Sequence, residues 1–414
     1  MAAQLARAGL FAIISYLAQS AFHRGKTLGA VRLALGTETN FHPSANEVKI
    51  IPDTINCEDL HVHQGLIFAA CQEKDGTRKG WFPALHNFKD PSQAIYGNLR
   101  IIDPETDTAI PLKIEGFGNR AFTTHGIDVV ADPHNKAAVF IHAVNHAPNT
   151  DPEGPAAASR VEIFHHVLGS GSAQWVRTVA VPVITTPNDI FSVSPSEFFV
   201  TNDHHYRDGP MRLVEDLGTR QVAAWSSIAH CDADLDYTDD VGVNYKLALE
   251  HKLHNNNGLG HGPDGTVIIN DAAGGAMYFA KIGEDDQLQL LPGEIQLPST
   301  IDNPFWFADP YPEVSHDASG AVNAGLQHAI TMAKTLQEDG DIASVVYLSK
   351  GTPGAPAKEW NTTRLFADDG SKLNSASAAV LVAIDPKTNG GKKQAKLYAS
   401  GFASKGVLST VVDL

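Results

Sequence analysis

The chain has 414 residues, 43% of them hydrophobic, and its 47 acidic against 31 basic side chains give a formal net charge of −16. That apolar content supports a large packed core and excludes wholesale disorder, and so negative a surface repels phosphate backbones, so no nucleic acid partner is expected. The charge suits divalent cations, or simply solubility, and three cysteines (Cys57, Cys71, Cys231) are too few for a disulfide scaffold.

Taken in chain order, the first element is an uncharged run from Gly9 to Phe22, preceded by Arg7 and closed by His23 and Arg24. It reads as a cleaved signal, a retained anchor or an amphipathic helix, with Ala18-Gln19-Ser20 as a small-x-small cleavage site. Residues 1–24 are therefore set apart from a body of 25–414. The chain is expected to be secreted or membrane-associated, with any membrane contact made through this segment alone. The sequon at Asn361 is compatible with secretion and glycosylation.

From about residue 30 the texture is all-β. Short apolar runs such as Leu66–Cys71, Val139–Val144, Val161–Val167, Val267–Asp271, Val345–Lys350 and Val380–Asp385 alternate with Gly, Pro, Asn and Asp clusters. Cys57 and Cys71 lie symmetrically about the Gln64-Gly65 turn, where they are either bridged or two buried thiols; Cys231 is left over. Polar segments recur at Glu58-Asp59, His125-Gly126-Ile127-Asp128, Asn188-Asp189 and Asn257-Gly258, about 65 residues apart, with Asp302-Asn303 following. About 390 residues at that interval give a six-bladed β-propeller. A β-sandwich supplies short strands too, but not turn phrases at matching offsets after the polar segments. A short helix is expected from Asn323 to Leu336.

The polar segments carry the candidate chemistry. Glu58, Asn188, Asn257, Asp302 and Asn303 make an oxygen-only donor set that suits calcium and suits zinc poorly. Asp59 and Asp189 directly follow two of these residues, and neighbours on an extended chain point to opposite sides, so each pair can serve two ions. The plain alternative is that Asn and Asp are turn residues. A neutral histidine beside a bound divalent ion can take a proton from water, with a second histidine behind it; His125 and His146 fit those roles. His61-Val62-His63 puts two imidazoles on one strand face with no usefully spaced partner, and is expected to be solvated. His204-His205 is expected to support the central site. There is no G-x-S-x-G elbow, P-loop or dinucleotide fingerprint.

In order along the chain, CEDLHVHQGLIFAA, FTTHGIDVVADPHNKAAVFIHAVNH, PNDIFSVSPSEFFVTNDHHY, NNGLGHGPDG, STIDN and the ending KLYASGFASKGVLSTVVDL resemble the paraoxonase/arylesterase family of calcium-dependent lactonases. The resemblance implies a six-bladed propeller with two calcium ions in a central tunnel. It implies a catalytic ion on Glu58, Asn188, Asn257, Asp302 and Asn303, and a structural ion on Asp59, Asp189 and the backbone carbonyl of Ile127. His125 is then the general base, supported by His146, and the substrates are small lactones or aryl esters. The chain departs from the family in three places. No cysteine lies near its C-terminus, so closure of the ring rests on strand pairing or on a different bridge. Pro304 follows Asn303 and restricts it to extended conformations. The loop from Gln72 to Asn87 and the segment Phe305-Trp306-Phe307 have no counterparts and are expected to cap the active-site face. A gluconolactonase or strictosidine-synthase type of enzyme, and a non-catalytic calcium-braced propeller, remain as alternatives.

Overall fold

The computed structural model describes residues 15–16, 18–36, 40–42, 47–238, 241–251 and 253–414. Most of the expected signal or anchor lies outside these residues. Its last part is helical over 18–27, and Arg24 donates to the carbonyl of Asp216 at 3.0 Å and to that of Ala273. Among the described residues no helix is long and apolar enough to cross a membrane.

Six antiparallel sheets form the blades of a propeller. Blade 1 runs outward through Asp59–His63, Leu66–Gln72, Gly97–Asp103 and Thr108–Pro111. Blade 2 uses Thr124–Asp132, Asn135–Pro148, Ala157–Val167 and Ser172–Val179, with Lys113–Glu115 added in parallel at its edge. Blade 3 comprises Pro187–Ser192, Glu197–Asn202, Ser227–Ala233 and Val243–Glu250. Blade 4 comprises Asn256–His261, Val267–Asp271, Ala276–Ile282 and Leu288–Leu290, and blade 5 Pro304–Phe307, Gly320–Leu326, Ser344–Lys350 and Asn361–Asp368. Blade 6 takes Ala376–Ala383, Gln394–Gly401 and Val407–Asp413 from the end of the chain, and its outermost strand, Lys49–Ile51, from before blade 1. The register Lys49↔Ser409 to Ile51↔Val407 closes the ring by strand pairing.

Strands of this kind are apolar on both faces because each blade is covered by two neighbours. The core is accordingly six layers, one between each pair of blades. Val129, Ile141 and Phe68 fill the layer between blades 1 and 2; Ile51, Ile67, Val380 and Tyr398 fill the one between blades 6 and 1.

Cys57 and Cys71 form a disulfide inside blade 1, so this bridge does not close the ring; Cys231 is free and buried. The expected helix from Asn323 to Leu336 is corrected. Gly320–Leu326 is a fully buried strand, followed by a 3-10 turn at Ala329–Thr331 and a helix only at Met332–Gln337. The small residues Asn323, Ala324 and Gly325 are there because the second strand of blade 5 is packed on both faces: a Cβ at Gly325 would stand 1.9 Å from the carbonyl oxygen of Thr300.

Candidate active site on the propeller axis

The innermost strands start at residues 59, 124, 187, 256, 304 and 376, so the polar segments fall at their entrances. Glu58, His125, Asn188, Asn257 and Asp302 line one cavity of about 420 Å3 at that end. Further along the same strands Asp59, His61, His63, Ile127, Asp128 and His261 line a second cavity of about 430 Å3. Glu58 and Asp59 thus face different cavities, as the alternation of a strand requires.

Two glycines let the strands come this close. A Cβ at Gly126 would sit 2.5 Å from both the carbonyl oxygen of Asn188 and Oδ1 of Asp189. One at Gly258 would sit 2.5 Å from Cδ of Pro304 and 2.6 Å from Cα of Asn303. The glycine after His125 and the one after Asn257 are therefore packing requirements of the next blade's polar pair.

Glu58 is buried, with its amide bonded to the carbonyl of Ala70 at 2.9 Å and its own carbonyl accepting from the Ser377 hydroxyl. Asn303 Nδ2 stands 3.2 and 3.3 Å from the two Glu58 carboxylate oxygens. Pro304 after it therefore does not keep the Asn303 amide from reaching the site. Asn188 donates to Asp203 Oδ2 at 3.2 Å, which fixes its amide. Oδ1 of Asn188, Asn257, Asp302 and Asn303 are all buried, and none has a hydrogen-bond partner among the described residues. Leaving one buried acceptor unpaired costs about 1–3 kcal/mol, so these four oxygens near Glu58 are a donor set with unmet demand.

The charge balance points the same way. Burial raises Glu58 well above the usual carboxylate range, and Asp302 and Asp59 push it further. Burial and then Asp59 raise Asp302 and Asp189, and burial raises Asp59 to about 6. Arg78, buried beside Glu58, is the near counter-charge and is itself lowered to about 10 by burial. Asp59 and Asp189 also staple the ring. Asp59 Oδ2 accepts the amide of Ile127 at 2.9 Å in blade 2, and Asp189 Oδ2 accepts that of Leu259 at 2.7 Å in blade 4.

His125 Nδ1 lies 2.9 Å from His146 Nε2, and His146 Nδ1 lies 2.9 Å from the Ser159 hydroxyl; His125 Nε2 is 3.5 Å from Glu58 Oε1. Burial pushes His125 well below the ordinary histidine range and His146 down to about 3, which favours the neutral form of each ring. Ser159 escaped the sequence reading, whereas the Trp81 indole, which donates to the His146 carbonyl at 2.6 Å, and Phe82, whose ring lies 5.1 Å from His125 and 6.1 Å from His146, belong to the loop expected to cap this face. The composition of the loop from Gln72 to Asn87 was the only signal for the aromatic pair. His204 supports the site through Asp203, at 2.9 Å, and so through Asn188; the His205 ring instead packs on Tyr206 and His251.

Two expectations are corrected. His61 does have a partner: it and His63 are half-buried and line the second cavity, with His61 Nδ1 2.8 Å from Asp128 Oδ1. Phe305 and Trp306 line that same cavity rather than capping the Glu58 side, because the strand Pro304–Phe307 runs away from Asp302.

Residues 80–233 match the arylesterase family model. The chain is 27% identical over 233 residues to serum paraoxonase/arylesterase 1 of Mus musculus, covering 51% of this chain and 58% of that one. To serum paraoxonase/arylesterase 1 of Homo sapiens it is 30% identical over 194 residues (45% and 47%). To serum paraoxonase/arylesterase 2 of Rattus norvegicus it is 28% identical over 202 residues (48% and 46%). The chain spans about half the length of the curated relatives it matches. Solved structures that resemble it include a luciferin-regenerating enzyme (10% identity, TM-score 0.46, covering 89% and 97%) and an aldose sugar dehydrogenase from Streptomyces coelicolor (11%, TM-score 0.42, covering 90% and 99%).

Proposed function

We propose, for a chain that carries an arylesterase-family segment on a six-bladed propeller, a calcium-dependent carboxylic ester hydrolase that opens lactones and cleaves aryl esters. The observation that carries this reading is the set of four unpaired oxygens on Asn188, Asn257, Asp302 and Asn303 around the Glu58 carboxylate. These five residues would hold one calcium ion, and Asp59, Asp189 and the carbonyl of Ile127 a second, structural one; the donors are hard oxygens of the kind calcium takes. Bound calcium supplies polarisation of the substrate carbonyl and stabilisation of its oxyanion.

The rest is done by the chain. His146 donates Nδ1–H to the Ser159 hydroxyl and accepts Nδ1–H of His125 at Nε2, which leaves His125 Nε2, 3.5 Å from Glu58 Oε1, as the basic nitrogen on the cavity side. Water gives its proton to that nitrogen as its oxygen bonds to the carbonyl carbon. The ring or ester C–O bond then breaks, and the leaving oxygen takes the proton back from His125. The apolar walls formed by Phe82, Leu85, Leu213, Met332 and Phe402 favour a substrate with a hydrocarbon portion. The apolar run before Arg24 and the exposed Asn361 favour secretion or membrane association.

A panel of lactones and phenyl acetate, assayed with calcium and after exhaustive chelation, tests the reading. Hydrolysis that disappears with the metal and returns with calcium, with two ions counted per chain, is expected. Undiminished hydrolysis after chelation would overturn it.

A further inference from the structure

The loop from Gln72 to Asn87 buries a cation to which the proposed hydrolysis gives no step. Arg78, on the short helix Thr77–Gly80, is 1% exposed. Its Nη2 donates to the carbonyl of Asn56 at 3.2 Å and to that of Thr124 at 3.1 Å. Asn56 stands two residues before Glu58, at the entrance to blade 1, and Thr124 stands directly before His125 in blade 2. One nitrogen thus ties the two strand entrances that carry the carboxylate and the base. The guanidinium carbon lies over the Phe82 ring, 4.1 Å from its centroid, and Phe82 in turn meets His125 edge-on at 5.1 Å. The same loop fixes Arg78 and repeats the tie. Asn87 Nδ2 donates to the Arg78 carbonyl at 3.2 Å, and Gln72 Nε2 donates to the Thr124 hydroxyl at 3.1 Å.

Nε and Nη1 of Arg78 are buried with no hydrogen-bond partner among the described residues. Burying polar groups in that state is costly. An apolar side chain of similar volume often serves a core as well as a buried charge does, so packing alone does not call for a guanidinium here.

We propose that Arg78 is a positioning residue for the ester hydrolysis: by tying the carbonyls that precede Glu58 and His125 and backing Phe82, it sets the carboxylate and the imidazole 3.5 Å apart. The inference rests on the hydrolase reading of the site. Arg78 is not among the residues that line the Glu58 cavity, so it acts through those two groups and not on the substrate. A misplacement of about 1 Å between reacting groups costs on the order of 100-fold in rate. Lysine in its place would keep the charge and a donor for the carbonyls but not the flat face against Phe82.

The test joins hydrogen exchange, read by mass spectrometry, to steady-state lactone and phenyl acetate kinetics at saturating calcium, on the full chain and on Arg78→Met and Arg78→Lys. In Arg78→Met, exchange should quicken together in residues 54–60 and 122–128 and stay unchanged in residues 256–261 of blade 4. Its kcat should fall about 100-fold with KM within about twofold, and Arg78→Lys should lie between, about tenfold down. Unchanged exchange in both segments, an equal quickening in all blades, or a kcat within about twofold of the unaltered chain, in whichever variant folds, would overturn the proposal. The two failures are told apart: an unaltered chain that hydrolyses none of the esters overturns the hydrolase and this role with it, whereas full hydrolysis by the variants overturns the role alone.

Discussion

Removing calcium should expose the mutual repulsion of the buried carboxylates, and do so in a pH-dependent way. Asp59 is 5% exposed and its folded-state value is raised from 3.8 to about 6. That is roughly two units at 1.36 kcal/mol each, or ~3 kcal/mol of native-state cost for the ionised form. The sign follows from linkage: a raised folded value means no cost below about pH 4, where both states are protonated, and a loss of stability as pH rises through about 6. Glu58, Asp189 and Asp302 are raised in the same direction, so they act with Asp59 rather than against it. A bound cation cancels the cost by favouring the ionised carboxylates. For a body of about 390 residues the unfolding entropy is ~0.8 kcal/mol/K, so ~3 kcal/mol is about 4 °C in Tm. Differential scanning calorimetry with calcium and with chelator, at pH 7.5 and at pH 4.5, should give a Tm gap of at least about 4 °C at the higher pH and a much smaller one at the lower. Gaps of equal size at both pH values, or no gap at pH 7.5, would refute the reasoning.

Glu58→Gln should lower kcat/KM about 100-fold or more, whereas His63→Gln, which lines only the far cavity, should stay within about twofold; steady-state lactone kinetics compares them. His125→Gln should lower kcat by roughly 100- to 10,000-fold with calcium content unchanged. Ser159→Ala, which removes only the support of His146 Nδ1, should cost about fivefold, near 1 kcal/mol. Replacing both Cys57 and Cys71 by serine should lower stability by about 3 kcal/mol, the loop-closure value for a bridge spanning 14 residues, read by denaturant unfolding.

The sequence showed the axis better than the ring. The polar pairs at 58, 125, 188 and 257 were legible because each opens an inner strand and the first four strand entrances are nearly evenly spaced. The rhythm fails at Pro304 and Ala376, where loop lengths differ, so residue counting alone could not assign blades 5 and 6. Asn323 to Leu336 misled because small and aliphatic residues fit a buried strand as well as a helix. The pairing of His61 with Asp128 was invisible because the two lie on different blades, and strand spacing within either one says nothing about what it meets in the other. Ser159 was equally hidden, since a lone serine in a strand has no signature of the histidine it will hold.

Strand Lys49–Ile51 pairs with Val407–Asp413, and this places a constraint on biosynthesis. Glu58 emerges from the ribosome early, yet its carbonyl is held by Ser377 of the last blade and its carboxylate meets Asn303 of the fifth. The early strand has to wait, unpaired, until residues 407–409 have been made. A transcript truncated before residue 407 would therefore yield a product without a closed ring, and one truncated before residue 303 would also lack both of these Glu58 partners, however many finished blades it contained.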